Sequence, residues 1–114
     1  MNTKICTSIE QSKRLIELGL DINTADMCYL VTKNQEPLLV AFTAKDKNDI
    51  SAWSLAALLN VLPRVDVEKE ICYDDTYNYR VKAYIGDGYI GDWFDNLVDA
   101  CYEMILKLHE LKML

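Results

Sequence analysis

The chain has 114 residues, the size of one domain built on a single core. Apolar residues make up 51% and charged residues 26%, the balance of a folded protein rather than a disordered one. Twelve basic against eighteen acidic residues give a net charge of −6, which argues against general nucleic-acid binding, and no apolar run approaches the roughly 18–20 residues that span a bilayer.

The opening stretch Met1-Asn2-Thr3-Lys4-Ile5-Cys6 lacks the apolar segment of an export signal, so a cytoplasmic protein is expected. The four cysteines, Cys6, Cys28, Cys72 and Cys101, include no C-x-x-C and no zinc spacing. They are expected to be reduced thiols that pack as small apolar groups. Charge is uneven. Residues 1–50 carry six basic and seven acidic groups, whereas residues 51–114 carry six and eleven.

In chain order, residues 7–19 read as a helix, with Thr7 as cap, Glu10 completing a capping box and Gly19 as terminator. Residues 20–26 form a polar connector. Met27 to Lys33 and Leu38 to Thr43 read as strands joined by the turn Asn34-Gln35-Glu36-Pro37. The continuous apolar run Leu38 to Phe42 suggests a central strand covered on both faces. A charged loop, 44–49, leads to a second helix capped by Ser51, with Ile50 and Leu55 at staple positions. Trp53, Leu55, Ala56, Leu58, Leu59 and Leu62 make that helix apolar over most of its circumference, and Pro63 ends it.

Residues 67–73 and 77–85 read as a second hairpin. Tyr77, Tyr79, Val81, Ala83 and Ile85 share one face, with Asn78, Arg80 and Lys82 on the other. Val67, Ile71 and Tyr73 alternate with Glu68 and Glu70 in the same way, so odd positions must pair with odd. A register placing Ile71 opposite Tyr79, Glu70 opposite Arg80 and Glu68 opposite Lys82 makes favourable pairs. It requires a loop of three or five residues around Asp75. Asp87-Gly88 then signals a turn into a very short strand, Tyr89-Ile90.

The last helix starts at Asp95 or Asn96 and buries Leu97, Cys101, Met104, Ile105, Leu108 and Leu111. The element order α-β-β-α-β-β-(β)-α predicts a single α+β domain over 1–114, with three helices packed on an antiparallel sheet of about four to five strands. Trp53, Leu55, Leu58, Leu59, Val40, Phe42, Ile71, Tyr79, Val81, Cys101, Ile105 and Leu108 are expected to form its core.

No residue pattern carries readable chemistry. His109, the only histidine, follows Cys101 by about 12 Å of helix, too far for a dyad. Asp46-x-Asn48 begins like a calcium loop but has Ser51 at the sixth position and Ala57 at the twelfth. Gly86-x-Gly88-x-x-Gly91 matches the dinucleotide fingerprint, yet no parallel βαβ unit surrounds it. No catalytic, cofactor-binding or metal-ligating residue is therefore assigned. The concentration of aromatics is the stronger signal: Tyr73, Tyr77, Tyr79, Tyr84, Tyr89 and Trp93 fall within 21 residues. Tyr84 lies on the charged face, as aromatic residues at protein contacts do. Tyr84, Arg80, Lys82, Glu68 and Glu70 are the candidate partner-binding residues.

The segments Glu17-Leu18-Gly19-Leu20, Thr24-Ala25-Asp26-Met27, Ala52-Trp53-Ser54-Leu55-Ala56-Ala57-Leu58-Leu59 with Leu62-Pro63, and Asp99-Ala100-Cys101-Tyr102-Glu103-Met104 resemble a family of short uncharacterised proteins from gut Bacteroidales, associated with prophage and other mobile elements. That family carries Pro at the position of Ser51. The resemblance implies a bacterial accessory protein and assigns no activity.

The reading that follows is a non-catalytic, cytoplasmic interaction protein without cofactor. It engages a protein partner, or a second copy in a weak homodimer through the 67–85 hairpin edge, and neither nucleic acid nor membrane. The alternatives are a small enzyme whose site has no motif, and an acidic inhibitor imitating nucleic acid.

Overall fold

The computed structural model describes residues 4–114; of the N-terminal stretch used to expect a cytoplasmic protein, Met1, Asn2 and Thr3 lie outside the described residues. The fold is α+β, as the element order predicts, but its strands form two antiparallel sheets instead of one. The first sheet has the order β2-β1-β3, from β1 (Met27–Leu30), β2 (Leu38–Val40) and β3 (Ile50–Ala52). The second contains β4 (Val65–Ile71), β5 (Tyr77–Ile85), β6 (Gly88–Ile90) and β7 (Trp93–Phe94), with β5 central. Helices α1 (Ile9–Glu17), α2 (Leu55–Val61) and α3 (Leu97–Glu110) pack with them.

The first sheet departs most from expectation. Leu38 to Phe42 does not form a central strand: β2 is an edge, and Leu38 and Phe42 are exposed. The centre belongs to β1, which pairs Cys28 with both Val40 and Ser51. Ser51 is a buried strand residue and not a helix cap. Ser54 takes that role, its hydroxyl accepting from Ala57 N at 3.2 Å. Asp26 fixes Ser54 in turn, accepting from its backbone N–H at 2.9 Å and from its hydroxyl. The staple positions accordingly move to Trp53 and Leu58, both fully buried. Leu62, before Pro63, has ψ 142°, the extended backbone that a following proline imposes.

Helix α1 is capped one residue later than the composition suggests. Ser8 and Gln11 form the capping box at 3.0 and 3.1 Å. Thr7 is freed for a buried role: its N–H donates to Trp53 O at 2.9 Å, and its hydroxyl accepts from Trp53 N at 3.1 Å and shares a 2.8 Å hydrogen bond with Ser12. The connector 20–26 contains a 3₁₀ turn, Ile22–Thr24, and Thr24 Oγ1 accepts from the Trp53 indole at 2.9 Å.

One core joins α1, α2, α3 and β5 through Leu15, Trp53, Leu58, Val81, Cys101, Ile105 and Leu108. Phe42 and Ile71, expected within it, are exposed, and Val40 and Tyr79 are half-buried. Leu111, expected on the buried stripe of α3, is exposed beyond that helix. Asp99 on α3 accepts from Lys4 Nζ and from Gln11 Nε2, each at 2.8 Å, tying the N-terminal segment and α1 to the last helix. Burial raises the Asp99 carboxyl, but its bonds to Lys4, Asn96 and Gln11 outweigh that and hold it below the ordinary carboxylate range. Among the described residues, no helix is long and apolar enough to cross a membrane.

Candidate interaction face on the second sheet

The long hairpin keeps the expected parity but shifts by two residues. Glu68 is opposite Arg80, Lys69 opposite Tyr79 and Glu70 opposite Asn78. The turn chemistry sets the shift. Asp75 N–H donates to Cys72 O at 3.0 Å and Cys72 N–H to Thr76 O at 2.8 Å, closing a three-residue loop with Asp75 at φ 63°. The expected register moves the left-handed position onto Thr76, whose branched Cβ disfavours it. Asp74 holds the turn by accepting from the Thr76 hydroxyl at 2.6 Å.

Beyond β5, Gly86 at φ 59° opens the two-residue turn into β6, a geometry that glycine favours. β6 and β7 then follow the same edge of β5. Between them Gly91 bends at φ 149°, where a Cβ would lie 2.2 Å from the Val81 carbonyl oxygen. The three glycines that match a dinucleotide fingerprint thus build a turn, a strand start and a bend. β6 and β7 cover the β5 side of the long hairpin, so the hairpin edge left free is that of β4.

Val81 and Ala83 are buried toward α3, so the even-numbered residues of β5 face outward. On that outer face the Glu68 Oε1 accepts from Arg80 Nε and Nη2 at 3.1 and 2.7 Å and pairs with Lys82 Nζ at 3.3 Å. The Arg80 guanidinium lies 4.4 Å from the Trp93 ring centre and 5.2 Å from that of Tyr89. Lys82 Nζ is 4.3 Å from the Tyr89 ring centre and 5.7 Å from that of Tyr84. Tyr84 and Tyr89 meet edge to face at 6.3 Å, and the Tyr84 hydroxyl donates to Asp66 Oδ2 at 2.5 Å.

The electrostatics follow. The bond from Arg80 holds the Glu68 carboxyl below its ordinary range, and Glu68 raises Arg80. Burial pulls the Lys82 ammonium down, but its bond to Glu68 and the attraction of that carboxylate leave it raised. Donation to Asp66 raises the Tyr84 hydroxyl.

Four of the five expected residues, Glu68, Arg80, Lys82 and Tyr84, therefore meet. Glu70 stands apart, accepting from the Asn78 amide at 3.4 Å. Asp66, Tyr89 and Trp93 complete the cluster. The two strands β6 and β7 that carry these rings are three and two residues long, too short for an alternation pattern to reveal. The cations are the inner layer: Arg80 and Lys82 side chains are each 17% exposed. The rings are the displayed layer, with Tyr84 54%, Tyr89 49% and Trp93 36% exposed.

Elsewhere, a cleft of about 450 Å³ between α1, the Gly91 bend and α3 is lined by Arg14, Asp92, Glu103, His109 and Glu110, among others. Among the described residues, no hydrogen bond or ion pair links Asp92, Glu103, His109 and Glu110 to one another. The acidic groups of 66–103 lie on β4, in the turns at 74–75 and 87, at the Asp92 bend, at Asp95 before α3, and on α3. The chain matches no protein family, no curated protein and no solved structure with which it was compared.

Proposed function

We propose that the protein is a non-catalytic, cytoplasmic interaction module whose contact surface is the outer face of the second sheet. The carrying observation is the exposed group Tyr84, Tyr89 and Trp93, braced from below by Arg80 and Lys82. Rings held in one arrangement lose little conformational entropy on binding and bring large apolar area with polar edges. The partner is a protein: the cations of this face are engaged by Glu68, and the chain carries net charge −6, which disfavours a phosphate backbone. The resemblance to gut Bacteroidales proteins supports a bacterial accessory role linked to mobile elements.

The test is affinity purification from the native host with wild-type protein and with Tyr84→Ala, Tyr89→Ala and Trp93→Ala, compared by quantitative mass spectrometry. A partner retained by the wild type and reduced at least tenfold by the ring variants is expected. A partner set indifferent to all three substitutions contradicts the reading.

A further inference from the structure

The edge of β4 carries its own instructions for pairing. The Cys72 N–H to Thr76 O bond makes that pair a hydrogen-bonded one. Alternation along an antiparallel ladder then makes Glu70/Asn78, Glu68/Arg80 and Asp66/Lys82 hydrogen-bonded pairs as well. The backbone N–H and C=O groups of Val67, Lys69 and Ile71 consequently point away from β5, where no described strand pairs with them. Val67 and Ile71 are 45% and 69% exposed on the inner face of the hairpin. On the outer face, Asp66, Glu68 and Glu70 form a row of carboxylates. Among the described residues, only Glu68 of these three has a cation within ion-pair distance.

Resting on the interaction reading above, we propose that β4 accepts an extended strand of the partner, with Lys or Arg at alternate positions and apolar residues between them. Main-chain bonds to Val67, Lys69 and Ile71 would supply the pairing, and the side-chain alternation would supply the selectivity. Basic side chains fall beside Asp66 and Glu70, while the intervening apolar ones cover Val67 and Ile71. A second copy fits worse. Antiparallel pairing of β4 with itself about Glu68 places Asp66 against Glu70 and Glu68 against Glu68. Pairing about Lys69 places Glu68 against Glu70 and Lys69 against Lys69. Each sets like charges opposite one another, which destabilises a sheet. The expected homodimer through this hairpin is therefore the poorer occupant.

The probe is a fluorescent, end-blocked nonapeptide alternating Lys and Val, with a shuffled peptide of the same composition and a Glu/Val peptide as controls. Binding is read by anisotropy at low salt. The alternating peptide should bind at least tenfold more tightly than either control. Lys69→Pro removes an outward-pointing N–H together with the Lys69 ammonium 4.1 Å from the Tyr77 ring centre; it should weaken binding at least tenfold, whereas Lys69→Ala, which keeps the N–H, should not. The Asp66→Lys/Glu70→Lys double variant should also weaken binding at least tenfold, and it decides the matter if Lys69→Pro does not fold by circular dichroism. Equal binding of the shuffled peptide, or full binding by the double variant, overturns the proposal. A dimer in sedimentation that the double variant disrupts overturns it in favour of a second copy. A native partner that still depends on Tyr84, Tyr89 and Trp93 when the peptide fails removes the edge proposal alone; a partner indifferent to those rings removes the interaction reading.

Discussion

Glu68 and Arg80 are cross-strand partners in the long hairpin, and the Arg80 guanidinium donates to one Glu68 oxygen through two nitrogens while its carbon lies 4.4 Å from the Trp93 ring centre. A single carboxylate thereby sets the position of the cation on which the displayed rings rest. The Glu68 carboxyl is lowered in the folded protein by this bond. A lowered carboxyl contributes stability above its unfolded pKa and loses it as pH falls through the folded value. Glu68→Gln should therefore be less stable than wild type at neutral pH, with the difference shrinking in acid below the unfolded carboxylate pKa of about 4.3. Thermal melts of both proteins from pH 7 to pH 3 check this; a gap that widens in acid contradicts it.

Gly91 permits the bend that lets β7 rejoin β5 and place Trp93 over Arg80. A methyl group there meets the Val81 carbonyl and needs a φ that alanine avoids. Gly91→Ala should cost about 1–3 kcal/mol and shift the fluorescence of Trp93. Denaturant titration measures the first effect. A Trp53→Phe background isolates the second.

Leu58 is fully buried beside Trp53 in the shared core. Leu58→Ala should destabilise by about 2–5 kcal/mol, since the surrounding helices and β5 relax only partly into the void. Equilibrium unfolding in urea tests this, and a loss under 1 kcal/mol would mean that α2 is not anchored as described.

The thiols should divide by exposure. Cys6, Cys28 and Cys101 are buried, and Cys72 is partly exposed near the hairpin turn. Burial pushes the Cys101 thiol up to about 12, and burial with the nearby Asp49 charge raises Cys28. Iodoacetamide on the native protein at pH 8 should modify Cys72 first, as peptide mapping would reveal. Equal labelling of Cys101 contradicts the packing of α3 on β5.

The legible parts of this fold are those where pattern extends over several turns or alternations. The stripe of α3 as far as Leu108, the parity of residues 67–73 and 77–85, the stop at Pro63 and the start of α3 near Asn96 belong to that group. Capping at α2 was less legible, because Ser51 and Ser54 are both good caps; only the pairing of Ser51 with Cys28 decides between them. The placement of β2 depends on which strand takes the sheet centre, a tertiary fact that a short apolar run does not carry. At the candidate site, Glu68, Arg80, Lys82 and Tyr84 follow from alternation alone. Tyr89 and Trp93 do not: Tyr89 is placed by the Gly86 turn on a strand of three residues, and Trp93 reaches Arg80 only past the bend at Gly91.

Site-specific photo-crosslinking in the native host tests the central claim most directly. A benzophenone amino acid replaces, one at a time, Tyr84, Tyr89 and Trp93 on the outer face and Glu36, Lys47 and Glu110 away from it. The account predicts one discrete polypeptide adduct from the first group and none above background from the second. Adducts of equal yield from both groups, or from the second group alone, would contradict an interaction surface on the second sheet.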